Sequence, residues 1–307
     1  MPSNLFLAVG DGCEEKMSVS GVVGQRQQYH AFIGGTGRSG TTILPRCMTR
    51  HPDILYYHEA EFLVREGGAV DVIRGLIDPE EFLDAFISRF GPKFAERMWG
   101  HTREGRDLFT DRRLKELVVE SFGDNSTFAE GIIRLTDAVF SAGCEAYGKR
   151  YWVEKTPQSI TSTDILYHLF PDMRYIHMIR DPKDVACSYM QKEFGPNSVD
   201  EFIPFYINSM RGAWFAMHQV PQEQYKVISV ERFVEYPEVI LREVMPFFGF
   251  ETSDETYAAM AGEVNPKKSH IGRWREELHP QQIAAIDFNC SDTHNLWKMV
   301  EKYGGWI

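Results

Sequence analysis

Residues 30–42 read His30-Ala-Phe-Ile-Gly-Gly-Thr-Gly-Arg-Ser-Gly-Thr-Thr42, a short apolar run that stops at a cluster of glycines. An uninterrupted apolar run of this length is typical of a buried parallel strand rather than of a helix. After the glycines, Ser39 to Arg50 is predicted to form a helix, which Pro45 in its second turn should kink. The segment therefore predicts a strand, a glycine-rich turn and a helix in succession.

The glycine-rich turn is a candidate anion-binding loop. Successive backbone N–H groups at a helix N-terminus can cradle a phosphate, and glycine lets the backbone approach it closely. Compared with the phosphate-binding pattern Gly-x-x-x-x-Gly-Lys-Ser/Thr, Gly35 and Gly40 are correctly spaced, but Thr41 replaces the lysine and the cation is Arg38. This replacement argues against an ordinary ATPase or kinase. The alternative is a tight strand-to-helix turn that binds nothing.

The chain beyond this loop alternates strands with helices. Further strands are predicted at 151–154, 174–179 and 225–230, and helices at 159–170, 183–191, 200–219 and 237–248. This alternation favours an α/β fold, a P-loop-type three-layer domain whose central parallel sheet of about four or five strands is flanked by helices. Residues 63–149 are predicted to be a helical insert over the active site. Residues 1–29 are predicted to be a loosely ordered leader, and 30–307 a single domain.

A second motif covers residues 174–188, Arg174-Tyr-Ile-His-Met-Ile-Arg-Asp-Pro-Lys-Asp-Val-Ala-Cys-Ser188. It places Arg180 at the carboxyl end of a strand and Ser188 in the following helix. Ligands of open α/β sheets bind at the carboxyl ends of strands, so both side chains could reach one anion. Asp181 and Pro182 also fit a helix cap and first helical position, which is the purely structural interpretation.

At this point the sequence resembles the sulfotransferases that use 3′-phosphoadenosine 5′-phosphosulfate (PAPS) and release 3′-phosphoadenosine 5′-phosphate (PAP). Three segments carry the resemblance, residues 35–42, 178–188 and Lys267-Lys-Ser-His-Ile-Gly-Arg-Trp274. The resemblance implies that 30–307 is a sulfotransferase domain and that PAPS is its co-substrate. Residues 63–149 have no such resemblance, and it is as a helical insert over the active face that they are predicted to be the acceptor-binding region.

The resemblance also implies where the nucleotide binds. The 5′-phosphosulfate would be held by Gly37, Arg38, Ser39, Gly40, Thr41 and Thr42. The 3′-phosphate would be held by Arg180 and Ser188, and the closing loop would contribute Lys267, Lys268, Gly272 and Arg273. Spacing does not tell which basic residue of this loop points inward, and an ordinary basic surface loop is the alternative.

Within the family, the resemblance is closest to tyrosylprotein sulfotransferases and their bacterial relatives. It rests on Arg50-His-Pro-Asp-Ile-Leu-Tyr-Tyr-His-Glu-Ala-Glu61 and on Glu154-Lys-Thr-Pro157. It implies Glu59 as the catalytic base and Lys155 and Arg38 as the cations. Ser269 would lie near the bridging oxygen. His58 is the competing base, because histidine titrates near neutrality without help.

The chemistry of sulfonate transfer agrees with these residue types. The transferred group has a single negative charge, so less charge must be neutralised than in phosphoryl transfer, and we expect no metal ion. Catalysis needs a base for the acceptor proton and cations for the charge on the leaving phosphate. A P-loop kinase using ATP and magnesium, and a nucleotide-binding module without catalysis, are the competing hypotheses.

Composition limits the partners. Lys and Arg number 33 against 44 Asp and Glu, a formal charge of −11 without a long basic run, so we expect no nucleic-acid partner. The chain has 5 cysteines without metal-binding spacing and no membrane-spanning apolar segment, which predicts a cytoplasmic protein with no membrane partner. We therefore expect a small-molecule acceptor with a hydroxyl or amine, with peptide tyrosine as the alternative; a homodimer is left open.

Aromatic residues raise two further questions. Similar enzymes often have a tyrosine that contacts adenine where this chain has Val230, and Trp274 or Trp152 could replace it. Four aromatic side chains could line an acceptor pocket, although helical spacing is more typical of a core: Phe86, Phe90, Phe94 and Trp99.

Overall fold

The central element of the fold is a parallel five-stranded sheet, seen in a computed structural model that describes residues 27–92, 108–123 and 126–305. Its strands lie in the order β2-β3-β1-β4-β5. Their bounds are β1 Ala31–Gly35, β2 Ile54–His58, β3 Tyr151–Lys155, β4 Arg174–Ile179 and β5 Tyr225–Ser229. The α/β fold and the parallel sheet predicted from the sequence are confirmed.

Helices connect the strands. In the first half of the chain they are α1 Ile43–Met48, α2 Ala69–Ile73, α3 Pro79–Ala85, α4 Asp111–Phe122, α5 Phe128–Ala146 and α6 Thr163–Leu169. In the second half they are α7 Pro182–Tyr189, α8 Val199–Met217, α9 Val230–Glu235, α10 Pro237–Phe247, α11 Asp254–Ala261, α12 Trp274–Glu277 and α13 Pro280–Tyr303. No helix in the described part of the chain has both the length and the hydropathy needed to cross a bilayer.

The sheet is buried on both faces, which gives three layers. Ala31 and Ile33 of β1 belong to the hydrophobic core on one face, shared with residues of α1 and α10. Phe32 belongs to the core on the other face, where its ring lies 5.7 Å from that of Trp152. Successive side chains of a strand alternate between faces, so a continuous apolar run is what a doubly covered strand requires.

Two local predictions differ from the structure. The helix expected from Ser39 begins at Ile43, so Pro45 is its third residue and lies in the first turn rather than the second. The first-turn N–H groups have no intrahelical partner, and proline therefore removes nothing there. Strand β2 is not among the predicted strands, although its sequence Ile-Leu-Tyr-Tyr-His is rich in aromatic residues.

The helices of region 63–149 pack on the sheet face that carries Phe32. Helix α5 supplies Phe140, whose ring lies 4.6 Å from that of Trp152 on β3. Phe86 and Phe90 are buried in the same core, which confirms the structural interpretation for these two aromatic residues. Phe94 and Trp99 lie outside the described residues.

His30 joins this helical region to the start of the sheet. Its Nδ1 lies 2.6 Å from Asp172 Oδ1 and its Nε2 lies 3.0 Å from Asp137 Oδ1, on α5. Burial opposes protonation, but the hydrogen bonds to the two aspartates outweigh it and raise the pKa of His30 from 6.5 to about 9. The imidazolium can donate from both nitrogens, so it bonds both carboxylates at once.

We expect the protein to lose stability as the pH rises from about 6.5 to 9. The stabilisation from His30 is fully present below its unfolded pKa and is lost as the pH passes its folded pKa. Because the aspartates are half exposed, the loss should be about 1–2 kcal/mol, measured by urea unfolding at pH 6 and pH 9. Asp172→Asn should flatten this pH dependence; an unchanged slope in that variant would contradict the assignment.

Candidate functional site

The carboxyl ends of the parallel strands meet at one edge of the sheet. The register pairs Lys155 of β3 with His58 of β2 on one side and Ile33 of β1 on the other, while Gly35 pairs with Met178 of β4. A cleft of about 1010 Å³ lies at this edge. Side chains and loops that follow different strands are therefore brought to one place, as in other open α/β sheets.

The glycine-rich loop forms one wall of the cleft. Gly37, Arg38 and Gly40 have φ values of 77°, 53° and 79°, a left-handed conformation that helps successive N–H groups converge. A Cβ on Gly40 would lie 2.1 Å from Cγ2 of Val230, so a side chain does not fit there. Five predicted residues of this loop line the cleft: Gly37, Arg38, Gly40, Thr41 and Thr42. Ser39 is buried, and its hydroxyl has no hydrogen-bond partner in the described part of the chain.

Arg180 and Ser188 lie beside this loop, as the second motif predicts. Arg38 Nε donates to Ser188 Oγ at 2.9 Å, which links the two motifs directly. Arg180 Nη2 donates to the carbonyl oxygens of Ser269 and His270 at 3.0 and 2.8 Å. Burial lowers the pKa of Arg180, and within the described ranges its Nε has no hydrogen-bond partner. A buried guanidinium N–H without a partner suits an anionic ligand.

Asp184 anchors the segment that follows α11. Its carboxylate is buried and accepts from the backbone N–H groups of Gly272 and Trp274 at 2.7 and 3.3 Å. It lies four residues after Arg180, at an Nη2–Oδ2 distance of 3.7 Å. Sequence reasoning assigned Asp184 no role, and because Arg180 precedes the first helical residue, Pro182, helical spacing gave no signal for this ion pair.

The closing segment, which is the predicted closing loop of residues 267–274, lies only partly against the cleft. Lys268, Ser269 and Arg273 line the cleft, whereas Lys267 and Gly272 do not. Lys267 is exposed, and the Gly272 N–H is bonded to Asp184. The tertiary structure thus selects two of the three basic side chains that the sequence left undecided.

Glu59 and Lys155 meet at the same cleft, where β2 and β3 end. Lys155 is 1% exposed, and its Nζ lies 2.7 Å from Glu59 Oε1. The Glu59 backbone N–H also donates to the Lys155 carbonyl oxygen at 2.8 Å. His58, the competing base, does not line the cleft; its Nδ1 lies 2.7 Å from the hydroxyl of Tyr56. Of the two adjacent candidates, only Glu59 reaches the cleft.

Backbone strain is concentrated at the cleft. Among the described residues, the non-glycine residues with positive φ are Arg38, Glu59, Glu61 and His270, and three of them line the cleft. Such conformations are unfavourable for residues with a Cβ and persist only where their surroundings hold them. Their position adds a backbone observation in favour of this cleft as the candidate functional site.

The adenine-contact question is partly answered. Trp152 belongs to the core between Phe32 and Phe140 and does not reach the cleft, so it cannot replace the missing tyrosine. Val230 lines the cleft, and Trp274 instead packs under the Lys183 ammonium, 4.8 Å from the ring centre.

Tyr189 is a cleft residue that sequence reasoning missed. It follows Ser188 directly, and its hydroxyl donates to the Thr36 carbonyl at 2.7 Å. Its position next to Ser188 was the signal that could have found it.

Comparisons with known proteins agree with this geometry. The model of the sulfotransferase family matches residues 31–254. Nodulation protein NoeE of Sinorhizobium fredii (strain NBRC 101917 / NGR234) is 26% identical over 174 residues, which are 56% of this chain and 33% of NoeE. The chain thus spans about a third of the length of the curated relative it matches.

Two solved structures share the fold. The sulfotransferase domain of the Synechococcus PCC 7002 olefin synthase has a TM-score of 0.50 and 19% identity, over 86% of this chain and 94% of that domain. The sulfotransferase domain from the curacin biosynthetic pathway has a TM-score of 0.50 and 14% identity, over 86% and 98%. Since the family model covers the sheet from β1 to β5 and both anion-binding motifs, the chain belongs to the sulfotransferase family.

Proposed function

We propose that the protein transfers a sulfonate group from PAPS to a hydroxyl or amine of an acceptor. The observation that carries the proposal is the convergence of three elements on one cleft. These are the glycine-rich loop, the Arg180 and Ser188 pair, and the Glu59 and Lys155 pair. The loop and the first pair suit the two phosphate-bearing ends of the nucleotide, and the second pair supplies a base and a cation.

The cleft residues fit such a nucleotide. Arg180 keeps a buried guanidinium N–H without a partner in the described ranges, and an anion bound in the cleft would satisfy it. We assign the 5′-phosphosulfate to residues 37–42 and the 3′-phosphate to Arg180 and Ser188. Lys268 and Arg273 would contribute further positive charge from the closing segment.

The chemistry follows from the placement of the charged groups. When bound, PAPS supplies an activated sulfonate with a phosphate leaving group. Glu59 would accept the proton of the acceptor hydroxyl or amine, and Lys155 and Arg38 would stabilise negative charge as it develops. Ser269 also lines the cleft; its hydroxyl donates to the Pro266 carbonyl at 2.6 Å and would turn to donate near the bridging oxygen when the nucleotide binds. The proposal assigns no role to a metal ion, because these side chains supply the neutralising charge.

The acceptor we propose is a small molecule, bound with the help of region 63–149. Arg65 lies in this region and lines the cleft, where its Nη2 donates to Glu61 Oε1 at 3.2 Å. A peptide tyrosine is the alternative acceptor.

We expect PAP, and not ATP with magnesium, to raise the melting temperature. A ligand at about 100 times its dissociation constant stabilises the native state by about 2.7 kcal/mol, or roughly 4–8 °C for a domain of this size. The shift in melting temperature is measured by thermal unfolding of the protein without ligand, with PAP, and with ATP plus magnesium. A shift with ATP and magnesium alone would favour the kinase hypothesis instead.

Turnover separates an enzyme from a binding module. PAPS should be converted to PAP in the presence of at least one member of a panel of phenols, aliphatic alcohols and amines. Stabilisation by PAP without conversion by any acceptor class would favour the module that binds the nucleotide without catalysis.

A further inference from the structure

The turn after β2 holds the Glu59 carboxylate in an unusual backbone conformation. Glu59 and Glu61 have φ values of 54° and 59°, with Ala60 between them. Neither is a glycine, so each would relax to an ordinary conformation unless neighbouring groups held it.

The neighbouring strand β3 supplies the groups that hold this turn. The Lys155 carbonyl accepts from the Glu59 N–H, and Glu154 Oε1 accepts from the Ala60 N–H at 3.1 Å. The Thr156 hydroxyl donates to the same Glu154 oxygen. Lys155 and Glu154 of β3 thus bond the backbone N–H groups of two consecutive turn residues, Glu59 and Ala60, and Thr156 supports Glu154.

Glu154 has features unlike those of an ordinary strand residue. It is 3% exposed and does not line the cleft, so it touches neither the proposed nucleotide nor the acceptor. Burial raises its pKa to about 7, against the hydrogen bonds from Thr156 and Ala60, which lower it. A carboxyl group is costly to place in a core, where an apolar side chain would pack without that cost.

We propose that Glu154 is a positioning residue, whose hydrogen bond to the Ala60 N–H holds the left-handed turn that directs the Glu59 carboxylate into the cleft. The proposal rests on the proposed function, in which Glu59 is the base. Without this acceptor, the Ala60 N–H loses its partner inside the protein and the turn can relax. A displacement of about 1 Å of a reacting group is enough to lower a rate by about 100-fold.

Two variants at the same position test the role. Glu154→Gln retains an oxygen that can accept from Ala60, whereas Glu154→Met keeps a similar volume but has no such acceptor. The assay is conversion of PAPS to PAP with the best acceptor of the panel above, together with PAP affinity by calorimetry. We expect kcat to fall by about 10- to 100-fold in Glu154→Met and by less than about 3-fold in Glu154→Gln, with PAP affinity unchanged in both.

Thr156→Val provides a second variant with a milder change, since it removes one donor to Glu154 and leaves the carboxyl group in place. We expect kcat to fall by about 3- to 10-fold, between the two Glu154 variants. If Glu154→Met does not fold, the Thr156→Val result decides, and a wild-type kcat there overturns the proposal.

The outcomes separate this proposal from the function on which it rests. If the kcat of Glu154→Met equals that of the wild type, Glu154 has no role in positioning. If kcat and PAP affinity fall together, its role is purely structural. Either result overturns the proposal. If Glu59→Gln keeps full activity, Glu59 is not the base, and the positioning role of Glu154 fails as well because it rests on that assignment. An inactive Glu59→Gln beside a fully active Glu154→Met means that only the role of Glu154 fails.

Discussion

Replacing Glu59 with glutamine should lower the conversion of PAPS to PAP with an accepted acceptor by about 10²- to 10⁴-fold, the usual contribution of a general base. Glutamine keeps the size of the side chain but cannot accept the acceptor's proton. PAP affinity should change little, because the carboxylate follows β2, which β3 separates from β1 and its glycine-rich loop. Initial rates at saturating PAPS, with calorimetry for PAP, measure both quantities.

His58→Gln is the matched control for this prediction. His58 is adjacent to Glu59 in sequence, yet it does not line the cleft. Its substitution should leave the rate within about 3-fold of wild type, since no proton transfer depends on it. A reversed result, with Glu59→Gln active and His58→Gln inactive, would transfer the role of base to the histidine.

Arg180→Ala should weaken PAP binding by about 2–5 kcal/mol, the range for removing one partner of a buried charge pair. The reason is the position of its guanidinium, which is buried beside Ser188 and the loop and carries an unpartnered Nε within the described ranges. The loss should be much smaller for adenosine 5′-phosphate, which lacks the 3′-phosphate. Calorimetry with both nucleotides measures the difference.

The comparison of two nucleotides removes an ambiguity of this variant. Arg180 also donates to the carbonyls of Ser269 and His270, so alanine should loosen the closing segment and weaken both nucleotides somewhat. Only the additional loss for PAP reports the 3′-phosphate. Lys267→Ala, an exposed cation of the same segment outside the cleft, should bind both nucleotides like the wild type. Equal losses for both nucleotides in Arg180→Ala would place the phosphate elsewhere.

Much of the fold could be predicted from local sequence. The predicted strand at 174–179 coincides with β4, and the predicted helix at 237–248 differs from α10 only at its last residue. In both, apolar periodicity and clear flanking signals lie within a few residues of the boundaries. Pro182 is indeed the first helical residue of α7, and the Asp181 side chain caps it by accepting from the Lys183 N–H.

Other features could not be predicted because distant contacts decide them. Strand β2 ends in Tyr-Tyr-His rather than in an apolar run, and it lies at the edge of the sheet, paired with β3, which is remote in the chain. Trp152 was a candidate for the cleft, but the rings of Phe32 and Phe140 enclose it in the core. A single sequence does not reveal which aromatic side chains meet across elements.

The sequence by itself determined the order of strand, loop and helix within residues 31–48, although not where the helix begins, and the strand and helix within 174–189. Apolar runs, glycines and caps act over a few residues, and their order places both anion-binding motifs at the carboxyl ends of strands. Only the tertiary structure decided that Glu59 rather than His58 enters the cleft, and that Lys268 and Arg273 rather than Lys267 line it. These choices depend on hydrogen bonds between residues that are far apart in the chain. Lys155 bonds Glu59 across 96 positions, and Asp184 bonds Gly272 across 88 positions.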